Sequence, residues 1–401
     1  MNKKQQQQRQ RRTTFNNLLQ EELGIRNSVQ TSLGAQRKGG FIHVVGAALV
    51  NLLSAFLIFV LFLISVESLL SIALCIGLTI YTYQVAKEDS SLFDGTAMSW
   101  TLLTFAVVTP LSASIGMAFT RREGALTQIA DFKATMVNLL CAHTFWDWGK
   151  VGIKDNIKQS LVGGRDASID IDWLQHTDDV LHAMIRICCE LTRVLTLPNA
   201  SRARHHVFPY GKKQREDVAT ISRKLHRSIL EDMMYITEAV EILKAEGLPP
   251  NEATRIRQWE RFLSCEIEQM IMIKKYRTPQ ALRSFARLFT CFLPPFYAPY
   301  YGQLAVEIDS LAYGITFSIL TSVALTSLFE SMSQMEDPFV GSRLDCIDVE
   351  LELRDEFLIK LLNIRNHKFP NDPPFAMQDE LRIPKNKERD IGPVIRLMQA
   401  Y

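Results

Sequence analysis

The sequence predicts an all-α integral membrane protein: four core transmembrane helices in two hairpins, an extra N-terminal apolar segment, and a cytosolic helical domain between the hairpins. Three observations carry that prediction. Apolar residues gather in runs, almost unbroken over 41–85 and again over 98–119 and 311–329, and about 20 mainly apolar residues are needed to cross a bilayer. Between Arg121 and Arg287 these runs give way to apolar residues recurring at helical period among charges. Arginines collect at one end of the runs, Arg121 and Arg122 after the third and Arg277, Arg283 and Arg287 before the fourth, which marks that end as cytoplasmic by the positive-inside rule. The segments are then a polar, basic tail (1–40), an N-terminal transmembrane region (41–120), the cytosolic helical domain (121–284), a transmembrane hairpin (285–330) and a cytosolic C-terminal segment (331–401).

Taken in order, residues 1–40 carry QQQQ and then RQRR with little to bury, which predicts disorder. The arginines and the lack of acids before Glu21 leave a transit peptide, and with it a plastid membrane, beside the plasma membrane or another organelle. Phe41 to Ile64 and Leu69 to Val85 read as two spans, with Ser65, Glu67 and Ser68 as the polar break between them. Tyr81, Tyr83 and Trp100 sit where an interfacial aromatic belt would place them. Glu123 to Leu140 keeps Leu126, Ile129, Ala130, Val137 and Leu140 on one stripe, which describes a helix continuing out of the membrane. Further helices are expected from Asp178 to Leu197, from Gln214 to Gly247, and from an Asn251 cap to Tyr276. Thr278 and Pro279 read as the N-cap and first residue of the return to the bilayer. Phe285 to Leu304 is interrupted by Pro294, Pro295 and Pro299, Leu311 to Phe329 is regular, and one tail helix is expected over about 344–364. If Phe41 to Ile64 also crosses, the basic N-terminus falls outside, against the charge rule; a re-entrant or peripheral segment is the other solution.

Composition excludes little else. The formal net charge of +2 argues neither for nor against nucleic acid, and no nucleic-acid partner is expected. The seven cysteines form no CxxC pair and no Cys/His metal spacing, which suits a reduced compartment. There is no GxSxG, P-loop or HExxH, so no enzyme is predicted. Asp147, between Trp146 and Trp148, is a proton-transfer candidate or a helix-end cap. The basic loop Arg202 to Arg215, with His205 and His206, attracts anionic headgroups or permeant anions, or is a solvated connector.

The most unusual stretch is Val107 to Glu123, VVTPLSASIGMAFTRRE. Polar atoms and helix breakers at membrane depth are tolerated only where protein or water receives them. Thr109, Ala113 and Met117 share one face at i, i+4 and i+8, with Pro110, Ser114 and Gly116 beside it. Such a face either packs closely on another helix or lines a pore. After the last run, Asp337, Asp345, Asp348 and Glu350 surround a turn at Pro338 and Gly341; they are read as a weak calcium site or as a helix-capping turn.

Two motifs, TPLSASIGMAF over 109–119 and QMEDPFVG over 334–341, placed in this order of spans, resemble the bestrophin and bestrophin-like anion channels. The likeness covers roughly residues 69–350. It implies a homopentamer whose second core helices form a narrow neck. By position the neck falls on Thr109, Ala113 and Met117, shaped by Pro110 and Gly116, with Arg121 and Arg122 as anion attractors at the cytoplasmic mouth or as topology anchors. The family commonly has bulkier residues in the neck, and its animal members hold calcium in a dense acidic run that VGSRLDCIDVE does not reproduce. Calcium activation is therefore not assumed, and no other cofactor is expected. The function expected is conduction of chloride or other small anions by a homo-oligomer in contact with membrane lipid. The rival is a membrane-anchored helical scaffold that binds partners through the helices over 214–276.

Overall fold

The computed structural model describes residues 41–88, 104–145, 172–200, 202, 204–245, 247–340, 345–372 and 375. The expectations placed on Trp100, Asp147 and Gly341 lie outside the described residues. The chain divides into two units, 1–64 and 65–401. In the first, α1 (Phe41–Ile58) runs into a π-helical turn, Phe59–Leu63.

The second unit is helical throughout its described elements. Helix α2 (Val66–Glu88) starts at the polar break seen in the sequence, which is a helix cap: Ser68 N–H donates to Ser65 Oγ and Ser65 N–H to Ser68 Oγ, each at 3.3 Å. That reciprocal arrangement satisfies two otherwise orphaned amides. A π-helical turn (Thr104–Val108) then leads into α3 (Thr109–Phe145), one uninterrupted helix of 37 residues. Pro110 is tolerated because it stands in the first turn, where its missing N–H has no intrahelical acceptor. Helix α4 (Trp173–Thr196) is capped by Asp172, whose carboxylate accepts from the amides of Leu174 and Gln175. A short α5 (Arg204–Val207) precedes α6 (Pro209–Ala245). Gly247 ends α6 at φ 101°, with Leu248 N–H returning to Leu243 O at 3.0 Å, a left-handed stop that glycine adopts without a Cβ penalty.

Several expected boundaries move. Helix α7 (Pro250–Lys275) takes Pro249 as its N-cap, so Asn251 lies inside the helix; proline at the first position supplies the helical φ without needing a donor. Helix α7 thus starts two residues early, whereas α8 (Gln280–Phe296) starts one residue late, with Pro279 as the cap, because Thr278 is buried and donates its hydroxyl to Glu336 at 2.6 Å. The Pro294–Pro295 pair ends α8, and Tyr297 hinges it to α9 (Ala298–Glu307). Helix α10 (Leu311–Met335) is longer than its apolar run. The tail begins with a π-helical turn (Glu350–Asp355) before α11 (Glu356–Lys368), later than the apolar pattern suggests. On α3 the buried stripe past the arginines is Ala125, Ile129, Phe132, Met136 and Leu140, while Leu126 and Ala130 are exposed; the period is as read, but the face is rotated by about one residue.

The main core joins this stripe to Val180, Met184 and Leu191 of α4, Ile229, Ile236 and Val240 of α6, Ile256, Leu263 and Met270 of α7, and Phe357 and Leu361 of α11. Smaller clusters join the first turns of α3 to α8–α10: Val107 with Leu293, Tyr297, Tyr301 and Leu325, and Leu111 and Ala118 with Ala286, Phe329 and Met332. Buried hydroxyls tie these apolar helices to α2. Ser71 Oγ donates to Cys291 O at 2.9 Å and accepts from Ser322 Oγ at 2.8 Å, and Thr82 Oγ1 donates to Ala298 O at 2.9 Å. Two of the helices, α2 and α10, are long and apolar enough to cross a membrane.

Glycine permits the closest approaches here. A Cβ on Gly314 would lie 2.6 Å from Tyr301 O, and one on Gly302 would lie 2.9 Å from Tyr83 N, whereas one on Gly116 would meet nothing within 4 Å. Alanine favours a helix over glycine by about 1 kcal/mol, but backbone atoms cannot yield as a flexible side chain can. Gly302→Ala and Gly314→Ala should each lower the melting temperature in mild detergent by at least about 2–4 °C, and Gly116→Ala should not; thermal-shift assays on the three variants check this.

Candidate functional site

Helix α3 has two unlike faces along its whole length. One carries the buried residues Leu111, Ser114, Ala118, Ala125, Ile129, Phe132 and Met136. Ser114 is 1% exposed, so it belongs to the packed side, and its hydroxyl donates to Pro110 O at 2.8 Å. Opposite it, Thr109, Ala113, Gly116, Thr120, Thr127, Asp131, Ala134 and Asn138 are all exposed. At 100° per residue these positions fall within about 40° of one line, and over residues 109–138 that line is ~44 Å long. Met117 flanks it and is 39% exposed. Thr109, Ala113, Gly116 and Met117 thus share one uncovered side, and Pro110 is half-buried at its edge.

The arginines below this stretch are engaged. Arg121 donates to Ile273 O, and Arg122 donates through Nε to Asp345 O at 2.9 Å and pairs with Glu123 at 2.7 Å. They fasten α3 to the end of α7 and to the tail, a role compatible with the anchor reading.

Beside them lies a buried charge cluster whose partners the sequence did not pair. Asp337 is held by Lys274 Nζ at 2.9 Å and by Arg277, and Glu336 by Arg283 at 2.6 Å and by Thr278. The carboxylates are 1% exposed and Arg277 4%. Burial alone would raise the Asp337 pKa, but the facing cations outweigh it and hold the group below the ordinary carboxylate range. The only sequence signal was an acidic pair directly after α10 and a cationic run directly before α8.

The four acids considered for calcium are distributed among other tasks. Asp337 lies in the cluster, Asp348 Oδ1 accepts from Leu351 N–H at 3.0 Å, Glu350 pairs with Arg354 at 3.8 Å, and Asp345 offers its carbonyl to Arg122. Among the described residues no three His, Cys, Asp or Glu side chains gather as a metal site. Calcium needs about six to eight oxygens converging on one point, and this arrangement does not fit it.

At the far end of α3, His143 Nδ1 and His176 Nε2 stand 3.1 Å apart in the core, with Trp173 edge-on to His176. Burial, then the neighbouring imidazole, pushes the His143 pKa down to about 3, and burial lowers His176 too. The sequence showed only scattered histidines. In the basic loop, His205 is buried while Val207, Phe208 and Tyr210 are exposed.

No family model and no curated protein matches the chain. Solved structures do. A single-residue variant of a bacterial bestrophin homologue from Klebsiella pneumoniae superposes with a TM-score of 0.52 at 12% identity, covering 75% of this chain and 98% of that one. Another structure of a bacterial bestrophin homologue from the same organism gives 0.53 at 11% identity, over 75% and 97%. A membrane-protein variant gives 0.50 at 12%, over 77% and 98%. The distant bestrophin likeness read from two short motifs is therefore a likeness of fold, and the fold is that of a membrane protein.

Two expectations follow. Asp337→Asn strands Lys274 and Arg277 in the interior and should cost about 3–5 kcal/mol, read as a large drop in melting temperature or loss of folded protein. The histidine pair binds protons more weakly folded than unfolded, so its stability contribution is complete above pH ~6.5 and declines as pH falls towards the depressed folded values, by about 1.4 kcal/mol per histidine for each pH unit below ~6.5. His143→Gln should flatten the change in melting temperature between pH 7 and pH 5, whereas an equally steep change would show that other groups set it.

Proposed function

We propose that this chain is one subunit of a membrane channel that conducts small anions, chloride among them, through a pore lined by α3 from several copies. The observation that carries the reading is the uncovered stripe on α3. A helix packed on one side by its own chain, and presenting on the other a line of small or polar residues ~44 Å long, flanked by the exposed Met117 and Phe119, is built to face water or another copy of itself. An α3 in the middle of a plain bundle would be covered all round. The bestrophin-like fold supports the same reading, and the pentamer is taken from that resemblance.

In this reading α2, the start of α3, α8–α9 and α10 are the four core spans, and α4, α6, α7, α11 and the rest of α3 form the cytosolic domain. Thr109, Ala113 and Met117 form the constriction, with Pro110 and Gly116 shaping it. Thr109 and Ala113 are small, so the neck is wide or wet rather than sealed by bulk. An anion entering it sheds part of its water against weak dipoles, and shallow binding allows it to leave. Arg121 and Arg122 contribute a positive potential at the mouth, reduced by Glu123 and by their fastening to carbonyls. Asp131 adds a negative charge on the stripe and should lessen anion preference. Conduction is proposed to need no bound calcium and no catalytic step.

Purified protein in a planar bilayer should carry anion current. Ala113→Phe should reduce single-channel conductance several-fold, Met117→Ala should alter halide selectivity, and Asp131→Asn should shift the reversal potential in a salt gradient towards the anion equilibrium value. A stable oligomer that passes no current in any ionic condition would refute the channel. A monomer in mild detergent, with the exposed Phe262, Met272 and Tyr276 of α7 free to bind other proteins, would favour the scaffold instead.

A further inference from the structure

Among the described residues, the α5–α6 elbow is a strongly basic surface that the pore reading leaves unused. Between Leu191 and Arg215 the sequence has no aspartate or glutamate. Lys212, Lys213 and Arg215 are exposed there, next to Val207 at 66%, Phe208 at 62% and Tyr210 at 60% exposure. Large apolar side chains this open, set directly among cations, are unusual on a surface that meets only water.

The elbow is rigid. A Cβ on Gly211 would run into the Arg204 carbonyl, so the glycine lets α5 fold tightly back on the first turn of α6. Phe208 N–H donates to Arg204 O at 3.1 Å and Lys212 N–H to Phe208 O at 3.0 Å. His205 is buried within the elbow and Arg202 N–H donates to its Nδ1 at 3.0 Å.

Its height along the fold follows from pairs between helices. Thr135 of α3 meets Glu266 of α7, and Arg121 meets Ile273, so α7 runs antiparallel to α3, towards the apolar helices. His226 of α6 meets Glu268, and Glu241 meets Arg257, so α6 runs antiparallel to α7 and its first residue points the same way. From His226 back to Pro209 is ~25 Å, and from Thr135 back to Arg121 is ~21 Å. The elbow therefore reaches the level of Arg121, where the apolar part of α3 begins. Laterally, α6 packs on α4 and α7, helices that also cover the buried face of α3, so the elbow lies on the far side of the domain from the uncovered stripe.

We infer that the α5–α6 elbow docks on the cytoplasmic membrane surface, with Val207, Phe208 and Tyr210 entering the interface and Lys212, Lys213 and Arg215 engaging anionic lipid headgroups. Aromatic rings with a polar tip suit the headgroup level, and each juxtamembrane cation attracts an anionic leaflet. The inference rests on the membrane reading of α2 and α10 but not on conduction.

Hydrogen exchange at residues 204–215 tests it on the full-length protein in nanodiscs. Exchange should be several-fold slower in nanodiscs containing roughly a third phosphatidylserine than in phosphatidylcholine alone, and about 1 M salt, which shortens the Debye length to ~3 Å, should remove the difference. Replacing Lys212, Lys213 and Arg215 together by glutamine should abolish the lipid dependence; these side chains are exposed, so the oligomer and its circular dichroism should be unchanged. Phe208→Ser should speed exchange in both lipids. Equally fast exchange in detergent and in both nanodiscs would overturn the proposal, as would equally slow exchange in all three, which would mean that a second copy covers the elbow. A protein that carries no current yet shows lipid-dependent protection would sink the channel and leave this docking standing.

Discussion

The burial of Glu336 and Asp337 against Lys274, Arg277 and Arg283 is the constraint on which the rest of the architecture depends. These five charges sit where α7 hands over to α8 and where α10 ends, and Arg121 bonds the carbonyl of Ile273 one residue before Lys274. A buried carboxylate without its cation costs several kcal/mol. The ends of α7, α8 and α10 are therefore obliged to meet, and α3 is fastened at the same level. The apolar helices and the polar domain are held in one relation by a small volume of matched charge.

With the ends fixed there, α3 can afford an uncovered side. Its packed face is secured by α10 and α8 near Leu111 and Ala118, and by α4, α7 and α11 from Ala125 onward. That anchoring leaves Thr109 to Asn138 uncovered without loosening the helix.

The larger part of the helix inventory was legible because apolar runs and helical period are local signals. The polar break at Ser65 and Ser68, the stop at Gly247 and the continuation of α3 past Arg121 were all visible in order. What was not visible needed distance information. Nothing in MEDPF tells which of three nearby cations Asp337 will choose, and nothing in the chain pairs His143 with His176, 33 residues away. Caps failed where prolines stood next to polar residues: Asn251 and Thr278 looked like caps, but Pro250 supplies the helical φ of the first residue of α7, and the Thr278 hydroxyl is taken by Glu336. Thr109, Ala113 and Met117, which the helical spacing placed on one face, are exposed together. The acids around Pro338 were read as a weak calcium site or a helix-capping turn; Asp348 accepts from the Leu351 amide and Asp337 lies in the buried charge cluster.

The continuity of α3 has a mechanical consequence. Between Thr109 and Phe145 the helix has no break, and its only proline stands in the first turn. A rod of this kind cannot bend at Arg121 to let its two halves move separately. Any displacement at Ala113 must appear at Asn138 as a tilt or a turn of the same body, with the anchored charge cluster as its fulcrum. In the proposed channel the narrow and wide parts of the passage would therefore change their dimensions together, and an event at the distal tip, beside the buried histidines, would be felt ~45 Å away at residue 113.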